Sequence, residues 1–197
     1  MTPCKSGGGW SRSLALCASI ALSACSTTPP SAVPAIAART AHPAFELEGR
    51  LSANDEHRSV SGPFDWRHTP LHDQWTAYSP LGQILAELHA TPSGAELTLA
   101  DGQRLGAASV AELLPALIGI DLPFAQLPGW VQAVPDGSAE VRHTDGQGRP
   151  ALVFDRGWRI DYTEYQDPAP GALPRRIDIS RGEARIRLII DRWSPQP

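Results

Sequence analysis

The stretch Ala184-Arg-Ile-Arg-Leu-Ile-Ile-Asp191 decides the fold. Ala184, Ile186, Leu188 and Ile190 fall on one side of a period-two repeat, and Arg185, Arg187, Ile189 and Asp191 on the other. That alternation marks a strand with one dry and one wet face. The same period recurs upstream. Trp158, Ile160 and Tyr162 alternate with Arg159, Asp161 and Thr163; Ile84, Ala86 and Leu88 with Leu85, Glu87 and His89; and Phe45, Leu47, Gly49 and Leu51 with Glu46, Glu48 and Arg50. Ser93-Gly94, Asp101-Gly102, Asp145-Gly146 and Arg181-Gly182 punctuate these runs with residues suited to tight reversals. Strands this close, with no helix between most of them, pair antiparallel.

One window departs from period two. Val110, Leu113, Leu114, Leu117 and Ile118 recur at helical spacing, with Ser109 and Glu112 placed as a capping box and Gly119 just past the last apolar residue. Pro115 is expected to kink this helix, because its ring displaces the bond to the carbonyl of Ala111. A second helical piece is predicted from Pro123 through Val134, broken near Pro128-Gly129. The expected architecture is mainly β: a single open antiparallel barrel or strongly curved sheet, with a lid of short α-helices. Trp66, Leu88, Leu113, Leu117, Trp130, Trp158 and Tyr162 fall on the inward register of strands and lid. The tryptophans read most simply as core, with the lining of an apolar ligand cavity as the alternative.

The 197 residues, 42% hydrophobic and 19% charged, suit one globular domain with short appendages. A net charge of −4 argues against a broad nucleic-acid-binding face, and no nucleic-acid partner is expected. The cysteines are Cys4, Cys17 and Cys25, all ahead of the period-two region, which leaves that region without a disulfide framework or a Cys-rich zinc site.

The first residues read as an address. Lys5 and Arg12 precede the short apolar run Leu14–Leu22, and no acid occurs before Glu46. This is the plan of a secretory signal peptide over residues 1–24, too short for a membrane-spanning helix. The run ends in Leu22-Ser23-Ala24-Cys25, which resembles the lipobox of bacterial lipoproteins. That resemblance implies acylation of Cys25, with several chains giving stable anchorage, and Ser26 after it implies an outer-membrane destination facing the periplasm. An ordinary leader with a chance cysteine is the alternative. Residues 25–42, rich in Ser, Thr, Pro and Ala, read as a tether that is extended around Pro29-Pro30 and Pro34, and residues 43–197 as the body.

Catalytic and metal-binding constellations are thin. His68 and His72 have helical ligand spacing, but Pro70 between them argues against the helix that spacing requires. Asp65, Asp73, Asp155 and Asp161 flank predicted strands and read as solvent-face charges. With no nucleophile elbow, phosphate loop or dinucleotide fingerprint, neither an enzyme nor a cofactor is expected, and no metal. Arg175, Arg176, Arg181, Arg185, Arg187 and Arg192 form either a solvated strand face or a patch for phospholipid headgroups. Pro80 and Gly82 flank Leu81 in a tight reversal, which points the leucine away from the sheet.

Phe45-x-Leu-x-Gly-Arg50, Gly62-x-Phe-x-Trp66 and Pro80-Leu81-Gly82 resemble the opening strands of the LolB family. Leu113-Leu114, Gly119, Leu122-Pro123, Leu127, Trp130, Gly157-Trp158, Tyr162, Leu173-Pro174 and Asp191-x-Trp193 continue the match in order. The resemblance implies an open barrel with a helical lid over an apolar cavity for acyl chains, with the inward-facing Trp66, Leu88, Leu113, Leu117, Trp130, Trp158 and Tyr162 as the candidates to enclose it. It also implies an outer-membrane lipoprotein that accepts acylated lipoproteins from a LolA-like periplasmic carrier and incorporates them into the membrane. Under it, Leu81, with Pro80 and Gly82, belongs to a protruding loop that delivers cargo to outer-membrane phospholipids. A monomer is expected. A structural envelope lipoprotein with no transfer role is the alternative.

Overall fold

The computed structural model describes residue 36 and residues 38–196. The predicted strands form, together with others whose alternation is weaker. In chain order they are β1 (Ala44–Asn54), β2 (Ser59–Thr69), β3 (His72–Tyr78), β4 (Ile84–Thr91), β5 (Gly94–Leu99) and β6 (Arg104–Ala107). After a helical crossover come β7 (Glu140–Thr144), β8 (Pro150–Asp155), β9 (Trp158–Tyr165), β10 (Pro174–Arg181) and β11 (Ala184–Gln196). All join one antiparallel sheet in the order β6-β5-β4-β3-β2-β1-β11-β10-β9-β8-β7. The chain starts in the middle, meanders to one edge, crosses, and meanders back from the other edge to pair its last strand with its first. β6 and β7 remain the two free edges, so the sheet is open as expected.

The run that opened the sequence reading sits at the centre. Ile186, Leu188 and Ile190 of β11 are buried, and Arg185 and Arg187 face out. Against it, Gly49 of β1 occupies a register shift where a Cβ would lie 2.2 Å from the carbonyl oxygen of Ile189. Only glycine lets the two backbones approach so closely there.

Helix α1 (Val110–Ile118) has the predicted span and runs unbroken through Pro115, which is exposed. The capping box does not form as drawn. Ser109 Oγ donates to the Glu112 carboxylate at 3.1 Å, and no side chain caps the backbone. Gly119 closes the helix in the left-handed conformation, its N–H donated to the Pro115 carbonyl. The second helical piece is shorter than predicted. A 3₁₀ turn at Phe124–Gln126 leads into α2 (Leu127–Val131). Pro128 lies in the first turn of α2, where its missing N–H costs no helical bond, so it starts this helix rather than breaking it. Ala133 at φ 53° then ends it, as Val134 N–H returns to the Gly129 carbonyl at 2.9 Å.

Two aromatic groups fill the inward face. Trp66 lies 5.0 Å, ring centre to ring centre, from both Phe45 and Trp75, and 5.9 Å from Phe124 of the crossover. On the other half, Trp130 of α2 packs 6.5 Å from Trp158 and accepts the Tyr162 hydroxyl on its backbone carbonyl at 2.8 Å. Trp66, Trp130 and Trp158 are fully buried.

The approach to β1 is pinned. Arg39 donates to the carbonyls of Pro170 (2.9 Å), Gln132 (3.1 Å) and Ala172 (2.7 Å), with its guanidinium 5.6 Å from the Tyr165 ring centre. Buried Gln132 exchanges two hydrogen bonds with the backbone of His42, accepting from its N–H at 2.7 Å and donating to its carbonyl at 3.2 Å.

Candidate functional site

An apolar cleft of about 230 Å³ opens between α1 and the first half of the sheet. Leu51, Val60, Phe64, Trp75, Leu99 and Leu117 line it, and Tyr78 and Leu85 are on its rim. A smaller void of about 20 Å³, walled only by apolar side chains, shares Leu51, Trp75, Leu117 and Ile118 with the cleft and reaches Leu188 of β11. The cleft exists because β2, β3 and β4 carry small residues on the side that lines it. Gly62, Ala77 and Ala86 leave space that Leu117 only partly fills.

The structure separates the predicted cavity residues. Leu117 alone among them lines the cleft. Leu88 and Leu113 are buried in the continuous core, Trp66 sits in the first aromatic group, and Trp130, Trp158 and Tyr162 form the second. Leu51, Val60, Phe64, Trp75 and Leu99 line the cleft and were not among the predicted cavity residues. Which inward residues meet empty space depends on the size of the residues opposite.

Leu81 is 89% exposed at the reversal between β3 and β4. The loop is built rigidly. Gly82 donates its N–H to the Ser79 carbonyl at 2.9 Å, closing a β-turn with Pro80 and Leu81 at its centre, and Gly82 takes φ +81°. Ser79 Oγ accepts from the N–H groups of Leu81 and Gln83. Nothing about the turn requires a large apolar side chain at its tip. Ile84 and Leu85, both exposed, follow it, so three large apolar residues gather at this end of the sheet beside the cleft rim.

The candidate polar residues have structural partners. The Asp73 carboxylate accepts the Trp66 indole N–H at 2.8 Å and lies 2.7 Å from His68 Nδ1. Asp65 accepts the Tyr78 hydroxyl at 2.7 Å, which raises the tyrosine's pKa, and Asp161 pairs with Arg159. Asp155 corrects the sequence reading: it is 2% exposed rather than a solvent-face charge, and it accepts the Trp130 indole N–H at 2.7 Å. His72 packs against His89, ring centres 5.8 Å apart. Among the described residues no group of three His, Cys, Asp or Glu side chains could hold a metal ion.

Five of the six C-terminal arginines pair with acids, on a neighbouring strand, on their own strand or in the crossover. Arg175 pairs with Glu164, Arg176 and Arg187 with Asp178, Arg181 with Asp121, and Arg192 with Glu48. The solvated-face reading fits this alternation, since most of the positive charge meets a carboxylate.

The family model of the outer membrane lipoprotein LolB matches residues 43–193, from the start of the sheet to Trp193 within β11. The chain belongs to the LolB family. The outer-membrane lipoprotein LolB of Azoarcus sp. (strain BH72) is 49% identical over 91% of this chain and 93% of its own. That of Thiobacillus denitrificans is 38% identical over 94% of this chain and 100% of its own. A DUF1329 family protein from Desulfovibrio piger superposes with a TM-score of 0.50 at 9% identity, covering 80% of this chain and 87% of that one, a likeness of fold alone. As a LolB, the chain is an outer-membrane lipoprotein with a role in lipoprotein localisation. Cys25 and its lipobox lie outside the described residues.

Proposed function

We propose that this LolB accepts acylated lipoproteins from a LolA-like periplasmic carrier, holds their acyl chains in the cleft between α1 and β1–β5, and passes them to outer-membrane phospholipids through the Leu81 loop. Cys25 carries the lipid that keeps the protein at that membrane, and the working form is a monomer with no catalytic step. The observation that carries the reading is the apolar cleft whose rim residues, Tyr78 and Leu85, flank an exposed leucine.

The energetics favour such a cleft. Exposing one ~16-carbon chain to water costs on the order of 12 kcal/mol at ~0.8 kcal/mol per CH₂. No nucleotide-binding motif supplies energy, so transfer runs down an affinity gradient from carrier to cleft to bilayer. At about 230 Å³ the cleft is smaller than the ~300–1,000 Å³ typical of ligand pockets. Taking a full acyl chain therefore requires α1 to move outward from the sheet.

The test is native mass spectrometry of the Cys25→Ala protein mixed with carrier loaded with a triacylated lipoprotein. Transfer of the acylated cargo, and its loss when Leu117 is replaced by Asp in a protein that still melts cooperatively, is the expected result. Equal uptake of deacylated cargo would remove the cleft from the account.

A further inference from the structure

The tryptophans of the described residues differ in what becomes of their indole N–H groups. Trp66 donates to the Asp73 carboxylate at 2.8 Å, Trp130 to that of Asp155 at 2.7 Å, and Trp193 to the Pro174 carbonyl at 2.9 Å. The indole nitrogens of Trp75 and Trp158 are buried with no acceptor among the described residues. Trp158 borders neither the cleft nor the small void, and the Arg181 guanidinium lies over its ring, 4.4 Å from the centre. Trp75 borders both.

We propose that the Trp75 indole N–H is the polar contact of the acyl site. It donates to the carbonyl oxygen of an ester- or amide-linked fatty acyl chain, so the cleft recognises an acyl group and not merely a hydrocarbon. This rests on the reading above that the cleft holds acyl chains.

A buried donor without an acceptor is costly, and nearly all such groups in native proteins find a partner. The aromatic neighbours of Trp75 do not supply one. Phe64 and Trp66 lie 5.0 Å from its ring centre and Phe124 6.2 Å, and none of these side chains carries an acceptor oxygen. Water is poorly suited to the place, because a buried water needs about two to four polar partners and the void is walled by apolar side chains alone. A hydrocarbon filling the site leaves the donor as it is. An acyl carbonyl satisfies it without bringing in a charge.

The position of the donor also gives the bound chain a direction. Trp75 stands three residues before Tyr78 at the rim, roughly 10 Å along β3 at ~3.3 Å per residue. With its carbonyl there, the acyl chain continues into the apolar void toward Leu188, and the linkage to the rest of the cargo faces the rim.

The experiment uses the full-chain Cys25→Ala protein with two probes of similar length, methyl palmitate, which has an acyl carbonyl, and octadecane, which has none. In the protein labelled with ¹⁵N, the Trp75 indole signal is assigned by connecting it to its own backbone amide. Methyl palmitate is expected to move the Trp75 indole proton downfield, as hydrogen bonding does, and octadecane is not. Trp75→Phe is expected to weaken methyl palmitate binding about fivefold more than it weakens octadecane binding, a comparison in which the lost ring area cancels. The NMR reading keeps Trp75 in place, so it decides the matter even if Trp75→Phe fails to fold. An unmoved Trp75 signal with methyl palmitate bound, or equal weakening of both probes by Trp75→Phe, overturns the proposal and leaves the cleft as a hydrocarbon site. Binding of neither probe by the unsubstituted cleft overturns the reading of the cleft itself, and the proposal with it.

Discussion

Trp130 donates its indole N–H to the Asp155 carboxylate at 2.7 Å, joining α2 to the end of β8 deep in the core. The other carboxylate oxygen of Asp155 is buried without a partner, so this one bond carries most of the compensation for a buried acid. Trp130→Phe is expected to destabilise by more than its lost area, because it strands the carboxylate at a cost of about 1–3 kcal/mol. Asp155→Asn, which keeps an acceptor, costs less. Urea denaturation of the two single variants and the double variant measures the coupling, and additive effects would show that the bond contributes nothing.

Leu113 and Leu117 are one helical turn apart on α1, and their fates should differ. Leu113 is buried in the core, and Leu113→Ala is expected to lower stability by ~2–5 kcal/mol. Leu117 borders the cleft, where the helix already leaves space, and Leu117→Ala should cost less stability and more acyl binding. Thermal melting together with titration of a fluorescent fatty acid separates the two. Loss of stability without loss of binding at Leu117 would make it simple core.

The Leu81 side chain touches little, so Leu81→Glu should leave the melting temperature unchanged and receipt of cargo intact while abolishing insertion. A single leucine gains only ~1.5–3 kcal/mol on burial, too little to hold a protein at a membrane but enough to orient one already there. Measuring receipt and insertion separately decides it: equal loss of both would make Leu81 a docking residue.

Acid should loosen the loop end of β7 and β8. Burial alone would raise the Asp145 pKa, but hydrogen bonds from the Arg149 side chain and from the backbone N–H groups of Arg149 and Gln147 outweigh it and hold the carboxyl below its usual value. A lowered folded pKa means the stabilisation is fully present above the unfolded value of about 3.9 and disappears as pH falls through the lower folded value. The stability gap between the native protein and Asp145→Asn should therefore be constant near neutrality and close below about pH 4. Urea unfolding across that range checks it, and a gap that persists at low pH would contradict the assignment.

The period-two runs in β1, β4, β9 and β11 made the sheet legible, because alternation is a local signal, while the strands between them carry it more weakly. The reversals were legible too, with one shift. Asp145-Gly146 marks the right place, but the left-handed residue is Gly148, since Asp145 spreads its bonds over Gln147 and Arg149 and lengthens the loop. Helix α1 was legible in its span, and α2 in existence but not in length, because Pro128 reads the same at a start as at a break. The cleft was not legible at residue level. It is a volume left over between Leu117 and the small residues Gly62, Ala77 and Ala86, from three different strands, and no single window contains that difference. The Gln132–His42 and Arg39–Ala172 bonds join residues far apart in sequence and have no periodic signature.

Because β1 and β11 are neighbours at the centre of the sheet, the order in which the chain emerges from the export machinery matters. The first half-sheet, β6 to β1, must wait with β1 as a raw, hydrogen-bonding edge until the final thirteen residues of strand arrive. A polypeptide terminated early, lacking β11, leaves one edge of β1 and one edge of β10 unpaired. Completion of the protein is thus registered at its own middle, where an unfinished chain keeps two open strand edges.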